Sequence, residues 1–127
     1  MTQEEKDLLF KDLCARTPYK TKINVDDIGL FTPTLKYIDG ITCHFYECAW
    51  TKFIDEIKPY LRQMESMTKD EIEDYHNLCT KQWNVHMDDY WYYDTPESID
   101  WFNAHHFDYR GLIEKGLALE APDGMYK

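Results

Sequence analysis

The rhythm of polar and apolar positions changes repeatedly along this chain, and each change marks an expected element. Thr2 and Glu5 stand three apart, the spacing of a reciprocal capping box, and Leu8, Leu9 and Leu13 follow at helical intervals. Residues 2–15 therefore predict a short amphipathic helix. Thr17-Pro18 should end it, because the residue before a proline is pushed out of helical geometry. Residues 20–25 alternate polar with β-branched positions and predict a strand. Residues 35–38 and 41–46 flank Asp39-Gly40, a dipeptide that tolerates the positive φ of a tight turn, so a hairpin is expected there. Residues 26–33 read as the loop before it.

The pattern then turns ambiguous. Phe53, Ile57, Tyr60, Leu61 and Met64 fit one helical face, but Pro59 would break the ladder, so a helix ending before Pro59 is expected, with an irregular stretch after it. Thr68 and Glu71 form a second capping box. Ile72, Tyr75 and Leu78, with Cys79 beside them, predict a helix to about Gln82. Residues 83–94, WNVHMDDYWYYD, have no period and read as an ordered loop or short edge strand.

Residues 95–120 are the best-specified stretch. Thr95 suits a helix cap and Pro96 the first helical position, where the missing N–H would have had no partner. Ile99, Phe102 and His106 recur at helical spacing, with Trp101 and His105 on an adjoining face. Gly111 and Gly116 look like stops, and Leu112, Ile113, Leu117 and Leu119 predict a segment that docks on the body and closes the core. These elements amount to a single α+β domain over residues 1–127, with about three antiparallel strands and three or four helices. The expected core is Leu8, Leu9, Leu13, Ile23, Ile41, Phe45, Ile72, Leu78, Ile99, Phe102, Leu112, Ile113 and Leu117.

Composition narrows the function more than the fold. With 127 residues the chain suits one domain, and 43% hydrophobic content argues against wholesale disorder. The 24 acidic and 14 basic residues give a net charge of −10. No basic cluster offsets it, which disfavours direct binding to nucleic acid or to an anionic membrane. No apolar run approaches the length of a membrane span. Cys14, Cys43, Cys48 and Cys79 occur without the long apolar run of a signal peptide, so a reduced, cytoplasmic protein with free thiols is expected.

Three groups of residues are candidates for chemistry. Cys43, His44 and Cys48, or His76 with Cys79, lack the paired spacing of zinc sites, and the adjacent His105 and His106 point to different helix faces, so neither a metal nor a cofactor is expected. His105, His106, Asp108, Tyr109 and Arg110 form a dense titratable cluster. It suits acid–base chemistry with an arginine to hold an anion, but it equally suits bonding at a helix end. Trp83, Tyr90, Trp91, Tyr92 and Tyr93 lie among Asp88, Asp89 and Asp94. Rings mixed with acids suit a cationic protein surface, or a sugar stacked on the rings.

The runs SMTKDEIEDYHNLC and SIDWFNAHHFDYRGLIEKGLALEAPDGMY, with MTQEEKDLL and IKPYLR, resemble a family of small acidic proteins from gut anaerobes and their phage-related or mobile elements. The likeness is good over the middle and above all over FDYRGLIEKGLALEAP; residues 19–53 match the family poorly. It implies a bacterial or phage origin and an intracellular setting, and it carries over no catalytic or binding residue. The expected function is a non-enzymatic interaction or regulatory protein that uses an acidic, aromatic surface against a basic protein partner. The alternatives are an inhibitor that mimics nucleic-acid charge to block a basic host or defence protein, and a small enzyme built on the His105–Arg110 cluster.

Overall fold

Both capping boxes form as the spacing predicts. Glu5 N–H donates to Thr2 Oγ1 at 3.1 Å while Thr2 N–H donates to Glu5 Oε1 at 2.8 Å, opening helix α1, Gln3–Arg16. The computed structural model describes residues 1–25, 32–83 and 96–126, the side chains of residues 79–83 excepted. Leu9, Asp12, Leu13 and Arg16 share one face of α1 at i, i+3, i+4 and i+7, and all four are buried. At Thr17-Pro18 the helix tightens into a 3-10 turn, Thr17–Tyr19, and stops.

The hairpin forms with its loop displaced by one residue. Strands β2, Leu35–Asp39, and β3, Thr42–Phe45, pair antiparallel with Asp39 opposite Thr42, so Gly40 and Ile41 make the loop. Gly40 supplies the left-handed conformation, φ +63°. This places Ile41 at the tip, 60% exposed, which corrects its expected place in the core. Strand β4, Thr51–Phe53, adds to β3. Leu35, Cys43 and Phe45 face inward, while Tyr37 and His44 stack at 4.2 Å on the outer face.

Residues 47–64 depart most from expectation: β4 and strand β5, Ile57–Leu61, replace the expected helix. A period of two governs β5, where Ile57, Pro59 and Leu61 are buried and Lys58 and Tyr60 are less so. The helical reading failed because Ile57 and Leu61, four apart, satisfy both periods. Strand β1, Ile23–Val25, pairs antiparallel with β5, and strand β6, Leu119–Glu120, pairs with it in parallel. Pro59 fits inside β5 for a specific reason. Tyr60 N–H donates to Lys22 O on the β1 side, so the donor that proline lacks would have pointed the other way. On that side the ladder with β6 begins only at Tyr60.

The described residues thus hold six strands in two three-stranded sheets, β1-β5-β6 and β2-β3-β4, rather than one small sheet, and three helices. The α+β class stands as expected. The parallel β5–β6 pair was not foreseen. One core lies between α1, both sheets and the C-terminal Leu112, Leu117 and Ala118. A second, aromatic cluster joins helices α2, Lys69–Trp83, and α3, Pro96–Ala104, through Met67, Tyr75, Phe102 and Phe107.

On α2 the buried stripe is rotated from the expected one. Glu71 and Tyr75 turn inward, the first because its carboxylate holds both Thr68 N–H and Arg62, and Ile72 is left 37% exposed. Leu8, Leu78, Ile99 and Ile113 are only half-buried. Thr95, the expected cap of α3, lies outside the described residues. No helix among the described residues is long and apolar enough to cross a membrane.

Candidate functional site

The cluster at residues 105–110 begins where α3 stops. His106 takes the left-handed conformation, φ +64°, while Phe107 N–H bonds Phe102 O at 2.9 Å and His106 N–H bonds Asn103 O at 3.1 Å. This is a Schellman ending, with histidine where glycine is usual. The reversed chain then pairs with β5's extension: Arg62 N–H donates to His106 O at 2.7 Å and Asp108 N–H to Arg62 O at 2.8 Å. Asp108 is thereby carried under the next turn, where it accepts from Leu112 N–H at 2.8 Å and Ile113 N–H at 2.9 Å. That turn closes in the same manner at Gly116, φ +76°, with Leu117 N–H on Leu112 O at 2.9 Å and Gly116 N–H on Ile113 O at 3.1 Å. Both glycines read as stops do have positive φ.

Arg110 is the second tie. Its Nε donates to Asp12 Oδ1 at 3.0 Å, across from Arg16, whose Nε donates to Asp12 Oδ2 at 2.7 Å. Arg16 Nη2 also reaches Phe107 O at 2.7 Å. Asp12 and Arg16 are fully buried, and the rings of Tyr109 and the two guanidiniums lie together at 5.4 and 4.9 Å. One carboxylate thus joins α1 to the chain beyond α3. The sequence carried the signal: Asp12 and Arg16 fall on the same helical face as Leu9 and Leu13, where a solvated pair has no reason to be.

His105 and His106 differ sharply. His105 is half-buried, stacks on Trp101 at 4.1 Å and has its Nδ1 2.9 Å from Trp101 O. His106 is buried, with its ring on Tyr126 at 3.7 Å. Burial, then the charges of Arg16, His105 and Arg62, push its pKa down to about 4. The neutral imidazole is therefore the folded form, and the unfolded chain binds this proton more readily. Stability from this group is complete above the unfolded value near 6.5 and declines as pH falls toward about 4. Urea midpoints measured at pH 7 and pH 5.5 should fall more for the wild type than for His106→Asn, which keeps a residue tolerant of positive φ but removes the titration. Equal falls in the two proteins would show that His106 contributes nothing to the acid sensitivity.

Tyr126 completes the closure: its hydroxyl donates to Tyr60 O at 2.6 Å and accepts from Lys22 N–H at 2.9 Å. Arg62 grips Glu71 with two bonds, 2.6 and 2.7 Å, and lies 4.2 Å over the Phe107 ring. That guanidinium is the main reason the Glu71 carboxyl is held down to about 2. Two grooves flank this region. One of about 780 Å³ is bounded by Gln63, Asp108, Ile113 and Glu120, and one of about 540 Å³ by Arg62, Glu71, Glu120 and Tyr126. Neither is lined by His105, His106 or Arg110. The arrangement holds the chain's C-terminal part in place; the carboxylates of Asp12, Glu71 and Asp108 already accept from backbone or guanidinium donors.

The other predicted site lies elsewhere. Trp83 is the last residue of α2, while Asp88, Asp89, Tyr90, Trp91, Tyr92 and Tyr93 fall outside the described residues. The described surface has its own large apolar groups: Phe10, Tyr37, Ile41, Tyr46 and Phe53 are exposed, where the sequence predicts Ile41 in the core and Phe53 on a helical face. Tyr37 turns outward because the register shifts between Leu35 and Tyr37, which breaks the alternation, and Phe10 lies off the Leu9–Leu13 stripe of α1. Among the described residues no three His, Cys, Asp or Glu side chains gather as metal ligands, and Cys14, Cys43 and Cys48 are free thiols. Comparison with protein-family models, curated proteins and solved structures finds no match for this chain.

Proposed function

We propose that this is a non-enzymatic interaction protein that binds a basic protein partner through an acidic, aromatic surface. The observation that carries the reading is the outer side of the β2–β3–β4 sheet and its ends. Tyr46 and Phe53 are each more than half exposed there, with Tyr37 beside them and Lys36 over the Tyr46 ring, while Ile41 is exposed at the turn tip, on a chain of net charge −10. Exposed rings on a rigid sheet supply contact area at little entropic cost, and the charge steers a cationic partner. Trp83, Asp88, Asp89, Tyr90, Trp91, Tyr92 and Tyr93 belong to the proposal through their composition: rings interleaved with acids. The engagement of Asp12, Asp108 and Arg110 in internal bonds favours binding over an acid–base role for the 105–110 cluster. Among the described residues, Cys14, Cys43 and Cys48 are free thiols, which supports a reducing, cytoplasmic setting.

Capture from the native cell's lysate on immobilised protein tests this. A basic protein should be retained and released by salt. Phe53→Ser and Trp91→Ala should each weaken its binding by more than about 1 kcal/mol while leaving the fold intact. Retention unchanged by every such variant would overturn the reading. Retention of a nucleic-acid-binding protein that free DNA displaces would instead make the chain a charge mimic.

A further inference from the structure

The first half of α1 and the β2–β3 turn enclose a groove of about 400 Å³, within the size range of ligand and side-chain pockets. Its apolar surface comes from Phe10 on α1, Ile41 at the turn tip and Ile54 below. Ile54 is buried, whereas Phe10 and Ile41 stay open to solvent. Its rim is charged. Among the described residues, Asp7 and Asp55 stand there with one cation, Lys6, which lies 3.6 Å from Asp55 Oδ2. Asp7 accepts from Gln3 at 2.9 Å through Oδ1. Among the described residues that line it, the rim is therefore net negative by one charge.

Resting on the function proposed above, we infer that this groove is where the basic partner seats one large apolar side chain, with a flanking lysine or arginine on Asp7 and Asp55. Charge complementarity selects this occupant. An acidic segment would meet two carboxylates at the rim and a chain of net charge −10 beyond it. A basic segment without an apolar anchor would leave Phe10 and Ile41 uncovered. A leucine or phenylalanine beside a cation satisfies both parts of the site. Gly40, at φ +63°, makes the turn that leaves Ile41 at the tip beside α1 rather than within a strand.

The test uses two short fluorescein-labelled peptides of equal length and charge, one of leucine and lysine in amphipathic register, the other of serine and lysine. Fluorescence anisotropy should show the leucine peptide binding about tenfold more tightly than the serine peptide. Ile41→Ser should remove that advantage, while Ile72→Ser, an equal change at an exposed position of α2, should leave it. Asp7→Asn with Asp55→Asn should weaken both peptides, and most at low salt. A leucine advantage that survives Ile41→Ser and Phe10→Ser overturns the groove and leaves the acidic-surface reading standing. If neither peptide binds even at low salt, both readings are overturned. Urea midpoints of each variant confirm that the fold is retained, as the exposure of Ile41 and Ile72 leads one to expect.

Discussion

Asp12→Ala should cost about 3–5 kcal/mol, the usual range for leaving a buried ion without its partner. Arg16 is fully buried, and Asp12 supplies both of its carboxylate contacts, at 2.7 and 3.2 Å. Its remaining bond, to Phe107 O, offers a dipole but no opposite charge. Arg110 is partly exposed, so it can recover water when Asp12 is lost; Arg16 cannot. The cost should therefore be asymmetric. Arg16→Met leaves Asp12 paired with Arg110 and should be milder. Asp12→Leu combined with Arg16→Met removes both charges from the α1 face and should recover much of the loss, because apolar replacements of a buried pair are often neutral. Urea unfolding at neutral pH measures all three against Asp7→Ala, an exposed carboxylate on the same helix expected to change stability by less than about 0.5 kcal/mol. An Asp12→Ala protein within about 1 kcal/mol of wild type would show that Arg16 finds another arrangement.

What could be read in advance was local. Thr2 with Glu5 and Thr68 with Glu71 close their caps because a capping box needs only residues three apart. Gly116 ends its turn because the φ it adopts is one that other residues resist. What could not be read depended on distant partners. Nothing near Leu119 and Glu120 announces that they will pair in parallel with Tyr60 and Leu61. Ile57 and Leu61 suit a helix and a strand equally, and only β1 and β6 on either side decide between them. The same applies to the 105–110 cluster. Its residues were visible as titratable groups, but whether Arg110 would meet a substrate or Asp12, 98 positions earlier, was a question of tertiary contact. The exposed ring of Phe53 was mistaken for part of a helical face for the same reason. The rings and acids of residues 88–94 lie outside the described residues, so their part in the proposed surface rests on composition.

Deleting residues 111–127 should unfold most of the population. Leu112 and Leu117 are buried in the main core, and losing them removes about 3–6 kcal/mol at 1.5–3 kcal/mol each. Strand β6 leaves with them, along with the bond from Ala121 N–H to Leu61 O at 2.7 Å and both bonds of the Tyr126 hydroxyl. Each such bond contributes about 0.5–1.5 kcal/mol. Asp108 loses the two N–H donors that stabilise its buried carboxylate, and His106 loses the ring that covers it. A domain's whole stability is only about 5–15 kcal/mol, so these losses together are of the same size. Leu112→Ala should reproduce part of the effect, at about 2–5 kcal/mol, and establishes the scale without removing the strand. Thermal melts followed by far-UV circular dichroism decide the matter. The truncated chain should show no cooperative transition, and Leu112→Ala a lowered one. A truncated protein that melts cooperatively near the full-length temperature would mean that α1 and the two sheets close their core without the C-terminal segment, and that Leu112 and Leu117 cover a surface already stable alone.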